Sequence, residues 1–155
     1  MMDLRELYQE VIMDHNRSPR NLREMEHPTC QARGFNPLCG DKLTVYVQLV
    51  DNVVQDISFV GCGCAISQAS ASLMTDAMKG KTVVEAHQLF EHFHAMLTSD
   101  QAPDDALSFD KLTVLAGVRT FPARVKCATL AWHTLEAALK KETAVVNTEN
   151  PKCLD

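Results

Sequence analysis

Six cysteines in 155 residues is a high count, and three of them stand where a thiol can do chemistry. Cys39 lies in the turn Asn36-Pro37-Leu38-Cys39-Gly40-Asp41, just ahead of a strand-like run; Cys64 lies where a strand-like run hands over to a helix; Cys127 lies in the early turns of a helix opened by Pro122. Free backbone N–H groups and the dipole at a helix N-terminus lower a thiol's pKa and stabilise its anion. Arg124 and Lys126 add cationic charge beside Cys127. With Asp41, the three thiols make a four-donor set that a tetrahedral zinc ion accepts, and thiolates equally suit iron–sulfur clusters. Spacing does not choose between the two, because the donors lie far apart in the chain and only a fold brings them together.

A plainer reading stands beside this one. Free cysteine is among the most buried residue types, so each of the three thiols alone reads equally well as a small apolar core residue. Asp41 alone reads as a turn carboxylate. Gly61 and Gly63 on either side of Cys62 favour a special role for the Cys62/Cys64 segment, since glycines permit close approaches that a packed strand does not need. The histidines point away from catalysis. His92 and His94 face different directions on one helix, His87 and His94 are about two turns apart, and no local signature of a Cys–His hydrolase is present.

The bulk composition bounds the classes further. A net charge of −5, a pI near 5.6 and the lack of any Lys/Arg cluster exclude a nucleic-acid face. No apolar run reaches the length of a membrane span, and Met1 to Glu6 has neither the basic start nor the apolar stretch of a signal peptide. The expectation is a cytoplasmic protein whose cysteines stay reduced. Length and composition predict one domain, over residues 1–141, and a disordered tail over 142–155.

The elements that must position the thiols follow from periodicity. Leu4, Leu7, Tyr8, Val11 and Ile12 recur at helical spacing, and Asn16-Arg17-Ser18-Pro19 stops that helix. Residues 21–40 show no clear period and read as a long irregular connection. Leu43, Val45, Val47 and Leu49 alternate with polar residues, and after Asp51-Asn52 the alternation resumes at Val53, predicting a hairpin with one buried face. A helix over Ile66 to Met78 ends at Gly80, and Thr82 to Glu85 is a capping box for the next helix. A short helical piece over Leu112 to Ala116 precedes the final helix, on which Val125, Thr129, Trp132 and Leu139 form a stripe that leaves Cys127 outside it. The pattern is α+β: a small antiparallel sheet of about three strands with helices on one face.

At this point four stretches become recognisable: Leu7 to Asn21 with Ser18-Pro19-Arg20-Asn21, Asn36 to Asp41, Gly63 to Met74, and Phe121 to Trp132. Together they resemble the SufU branch of the IscU/NifU N-terminal family, over nearly the whole chain. The resemblance implies a SufE/NifU-like α+β domain whose Cys39, Asp41, Cys64 and Cys127 hold Zn2+ or, in the scaffold branch, a nascent [2Fe–2S] cluster. It implies that Cys39 accepts persulfide sulfur from a pyridoxal-phosphate-dependent cysteine desulfurase of the SufS type, that Arg124 serves docking and ligand exchange, and that downstream assembly or apo-proteins receive the product. Lys126, where scaffold-type members have histidine, and the long connection from Leu97 to Gly117 favour the sulfur-acceptor branch over the scaffold. A structural zinc module is the alternative of another class. Cys62 also fits the scaffold-type wording Gly-Cys-Gly-x-Ala-Ile, but the distance to Ala69-Ser70-Ala71-Ser72 favours Cys64. Cys30 reads as a loop thiol and Cys153 as tail.

Overall fold

The alternating run after Gly40 forms β2 (Asp41–Val50) and the next forms β3 (Val53–Cys62), paired antiparallel with Val45 opposite Phe59 and Val47 opposite Ile57. Asp51 and Asn52 join them at φ 53° and 63°, the left-handed pair a two-residue hairpin turn requires. In the computed structural model, which describes residues 4–98, 112–118, 121–141 and 145–149, two more strands complete the sheet. β1 (Cys30–Asn36) pairs antiparallel with β2, and β4 (Val146–Asn147) pairs parallel with Gly34 and Phe35 of β1, for a sheet order β3-β2-β1-β4.

Two expectations are corrected here. Residues 30–36 are a strand rather than irregular connection: the inward positions are Cys30, Ala32, Gly34 and Asn36, which carry too little apolar bulk to show an alternation. Their strand character comes from the backbone ladder to β2 and from close packing under a helix, where a Cβ on Gly34 would meet Thr134 and Leu130. The tail is not wholly unstructured either. Val146 is buried, and the Thr148 N–H donates to the Phe35 carbonyl at 3.1 Å. Among the described residues the sheet therefore has four strands, with two antiparallel pairings and one parallel pairing at the edge, within the expected α+β class.

Of the helices α1 (Leu4–Arg17), α2 (Ala65–Met78), α3 (Val83–Thr98) and α4 (Pro122–Leu139), α2 and α4 pack on the sheet, while α1, α3 and a 3-10 segment at Leu112–Val118 pack on those two and on one another. Their ends follow the local chemistry. Thr82 Oγ1 accepts from the Glu85 N–H at 3.1 Å while Glu85 returns a bond to the Thr82 N–H at 3.0 Å, a closed capping box. Gly80, at φ 84°, takes the left-handed position after α2. α4 differs from the stripe expected of it: every residue from Cys127 to Ala138 is buried, because the helix lies across β1 and β2 and is flanked by α2 and α3. A helix buried on all sides has no amphipathic face to read. Trp132 anchors it, stacked on Phe93 of α3 at 4.0 Å between centroids and donating to Ser70 Oγ of α2 at 3.0 Å.

The α3–α4 contact also carries a proton-sensitive pair. His133 stands edge-on to Phe90 at 5.2 Å and to His94 at 5.4 Å, and burial, helped by the charge of His94, pushes its pKa down to about 4. Unfolding restores an ordinary value near 6.5, so the unfolded chain binds the extra proton first. The stabilisation is fully present above about pH 6.5 and drains away as pH falls toward 4. Urea unfolding at pH 7 and pH 4 is expected to show the wild-type chain losing about 3 kcal/mol more than His133→Gln over that interval; equal losses would show that His133 does not titrate with folding.

Candidate metal centre

The end of β1 and the start of β2 lie side by side, with Asn36 and Asp41 as register partners. The connection between them is short, and Gly40 turns it at φ 71°. This places Cys39 on an exposed tip and turns Asp41 inward, where it is wholly buried. A buried carboxylate needs donors. Asp41 Oδ1 accepts the Cys64 N–H at 2.8 Å and Oδ2 accepts Asn36 Nδ2 at 3.1 Å.

α2 and α4 bring the other thiols to the same point. Cys64 is the N-cap of α2, its sulfur accepting the Ser67 N–H at 3.4 Å and lying 4.0 Å from Asp41 Oδ2. Cys127, in the second turn of α4, is buried and lies 3.1 Å, sulfur to sulfur, from Cys39. Ligand atoms of Cys39, Asp41 and Cys127 all fall within 4.8 Å of one another. Cys64 stands at the Asp41 side of this triad, outside the mutual 4.8 Å set. Tetrahedral zinc with bonds near 2.3 Å separates its sulfur ligands by about 3.8 Å. The donors present are of the right type and close to that separation, so the site fits a thiolate-binding ion.

The thiols differ sharply in their hold on a proton. The hydrogen bond with Cys127, followed by the backbone N–H groups of Ser67 and Ile66, brings Cys64 down to about 7 against burial and the Asp41 charge. The same bond with Cys64, burial and the contact with Cys39 push Cys127 upward. Cys127 is thus the proton holder that donates to its neighbours, and a metal ion entering here must displace that proton.

The end of β3 separates Cys62 from Cys64, since the chain leaves the sheet after Cys62 and turns into α2 at Cys64. Cys62 is the register partner of Lys42, which points outward, and both line an outer groove of about 490 Å³ with Arg33, Phe35 and Val60. Cys64, beyond Gly63, returns to the Asp41 side. Only glycine fits between them: a Cβ on Gly63 would strike the Asp41 carboxylate and lie 2.9 Å from Ser67 Oγ. Cys30 is not a loop thiol but the buried first residue of β1, its pKa raised by burial, and Cys153 lies outside the described residues. Arg124 is exposed in the first turn of α4, its guanidinium 4.5 Å from the Phe121 ring.

Periodicity and spacing single out neither Asn36 nor Ser67, although both touch the site; Gly63 is flagged by its place beside Cys62. Asn36 gives no such signal, because Gly34, Ala32 and Cys30, which share its inward face, are too small to show an alternation.

Comparison with known proteins adds an independent line. The NifU-like N-terminal domain family matches residues 7–149. The chain is 41% identical over 136 residues to the zinc-dependent sulfurtransferase SufU of Bacillus subtilis (strain 168), covering 88% of this chain and 91% of that protein. It is 39% identical over 135 residues to the iron-sulfur cluster assembly scaffold protein IscU of Thermotoga maritima, covering 87% of this chain and 94% of that one. The crystal structure of an iron-sulfur cluster assembly scaffold protein for the SUF system from Fervidobacterium islandicum AW-1 matches with a TM-score of 0.79 at 34% identity, over 86% of this chain and 96% of that chain.

Cys62 on the outer face of β3 and Cys64 at the cap of α2 stand in unlike surroundings. Cys62→Ser is expected to keep the zinc content of the purified chain, whereas Cys64→Ser lowers it. Metal analysis after gel filtration reads both, and the reverse pattern would assign the ligand to Cys62.

Proposed function

The chain belongs to the NifU-like N-terminal domain family, and on that premise we propose that it accepts persulfide sulfur from a cysteine desulfurase through Cys39 and passes it to iron–sulfur cluster assembly. The observation that carries this reading is the contrast between one exposed thiol, Cys39, and the buried Cys127 and Asp41 it touches. A sulfur acceptor needs one sulfur within reach of a partner and the rest of its site sealed. Leu38, next to Cys39, and Phe121, under Arg124, are large apolar residues left exposed, which suits them to a protein partner.

The transfer balances without an external redox agent. The Cys39 thiolate attacks the terminal sulfur of the donor persulfide; a Cys39–sulfur bond forms, the donor's sulfur–sulfur bond breaks, and the donor cysteine leaves as its thiolate. Cys39, Asp41, Cys64 and Cys127 would hold Zn2+, and the ion when bound supplies the positive charge that keeps their thiols deprotonated. Asp41 and Cys127 stay fixed by their buried contacts while Cys39 reacts at the surface. Arg124 offers a guanidinium at the start of the helix that carries Cys127, suited to docking the desulfurase, for which the SufS type, dependent on pyridoxal phosphate, is the partner we infer. Among the described residues no helix is long and apolar enough to cross a membrane, and we place the reaction in the cytoplasm.

A second reading keeps the same residues. The mixed sulfur and oxygen donor set also suits a [2Fe–2S] cluster held for transfer to an apo-protein, and the Thermotoga relative is named an iron-sulfur cluster assembly scaffold protein. Anaerobic reconstitution with iron and sulfide separates the two: a coloured protein with a quadrupole-split Mössbauer doublet supports the scaffold, and a colourless protein retaining zinc supports the acceptor. A purely structural zinc role is disfavoured by the extent of the core, which surrounds Trp132, Phe59 and Phe93 away from the thiols. Chelation is accordingly expected to leave a cooperative unfolding transition in place.

Cys39→Ala is expected to abolish stimulation of the desulfurase while the circular dichroism spectrum stays unchanged. Full stimulation by that variant would remove the acceptor role.

A further inference from the structure

We infer that Asn36 is the positioning residue of the metal centre, and that Thr148 of the C-terminal segment holds it in place. This rests on the metal-binding reading of Cys39, Asp41 and Cys127, and goes beyond it by assigning residues that are not ligands.

The Asn36 side chain is wholly buried and makes four contacts. Nδ2 donates to Asp41 Oδ2 at 3.1 Å and to Cys127 Sγ at 3.4 Å. Oδ1 accepts the Leu38 N–H at 3.2 Å and the Thr148 hydroxyl at 3.0 Å. An amide has two N–H donors and two acceptor lone pairs, so its capacity is filled. The amide orientation is determined by these partners: turned over, it would set its oxygen against the Asp41 carboxylate and its NH2 group against the Leu38 N–H.

One rigid planar group therefore sets the distance between a ligand on β2 and a ligand on α4. It also grades the sulfurs. Cys127 accepts the Asn36 N–H and Cys64 accepts the Ser67 N–H, and each such bond draws charge from the sulfur. Among the described residues Cys39 accepts no N–H, its contact being with the Cys127 thiol. Among the described residues Cys39 is thus the sulfur that accepts from a thiol rather than from an N–H, a bond that goes when a metal ion displaces the Cys127 proton, which matches the role assigned to it.

Thr148 supplies the backing. It is buried, its N–H is bonded to the Phe35 carbonyl next to Asn36, and its hydroxyl reaches the amide oxygen across 112 residues of sequence. Lys126, adjacent to Cys127, pairs with Glu149 at 2.7 Å. The C-terminal segment thereby clasps the end of β1 and the start of α4 together, behind the ligands.

Outer-shell partners of metal ligands are worth about 10- to 100-fold in affinity. Zinc affinity, read by competition with a chromophoric chelator, is expected to fall by about that factor in Asn36→Ala. In Thr148→Val, which keeps the shape and loses the hydroxyl, it is expected to fall about two- to tenfold, with recovery in Thr148→Ser. The cobalt-substituted Asn36→Ala and Thr148→Val proteins are expected to show a shifted sulfur-to-cobalt charge-transfer band relative to wild type. Should Asn36→Ala fail to fold, the Thr148 pair carries the test through the same two readouts. Wild-type affinity and an unshifted cobalt band in Thr148→Val would overturn the proposal, as would affinity losses that follow the melting temperature of the metal-free protein with no spectral change. A wild-type chain that binds no zinc or cobalt would instead overturn the metal reading itself.

Discussion

A carboxylate sealed from water is costly unless donors meet its charge, and the structure around Asp41 is organised by that requirement. One donor is the backbone N–H that opens α2, the other the amide that closes β1. Supplying them forces β1, β2 and α2 to converge, and the same convergence carries Cys39 and Cys64 to the spot. α4 adds Cys127 from across the sheet. The thiols meet because the elements that bear them are each needed to satisfy, or to roof over, one buried negative charge.

The sheet's period of two does the sorting. Neighbouring residues on a strand point to opposite faces, so Asp41 and Lys42 look different ways, and Cys62 goes with Lys42. One glycine then lets the chain pass directly beneath the carboxylate and deliver Cys64 to the interior side. The two-cysteine wording of this segment is therefore not redundancy but two thiols with unlike surroundings, one in a buried polar cluster and one beside cationic side chains on an open groove.

Much of this was legible beforehand. The hairpin, the capping box at Thr82 and Glu85 and the glycine after α2 all declare themselves through short-range chemistry, and each holds in the structure. The family follows from the motifs around Cys39, Cys64 and Cys127, and the comparisons bear it out. What escaped was whatever depends on neighbours distant in sequence. β1 hides because its inward residues are small and polar; β4 hides because two residues with one buried valine make no pattern. α4 misleads in the opposite sense, since a helix enclosed on all sides mixes Thr, His and Glu with apolar residues and every one of them is buried. Asn36 could not be told from an ordinary turn residue until the strands on both sides of it were in place.

The clasp formed by β4 has a bearing on how the protein is made. Among the described strands β4 sits beside β1, so the bonds that fill the Asn36 amide are complete only after residue 148 has left the ribosome. A nascent chain with α4 still in the exit tunnel displays Cys39, Asp41 and Cys64 without the buried thiol or the amide's backing. The surroundings of Asn36 are thus completed from two distant parts of the chain, by Asp41 from its early part and by Thr148 from its late part.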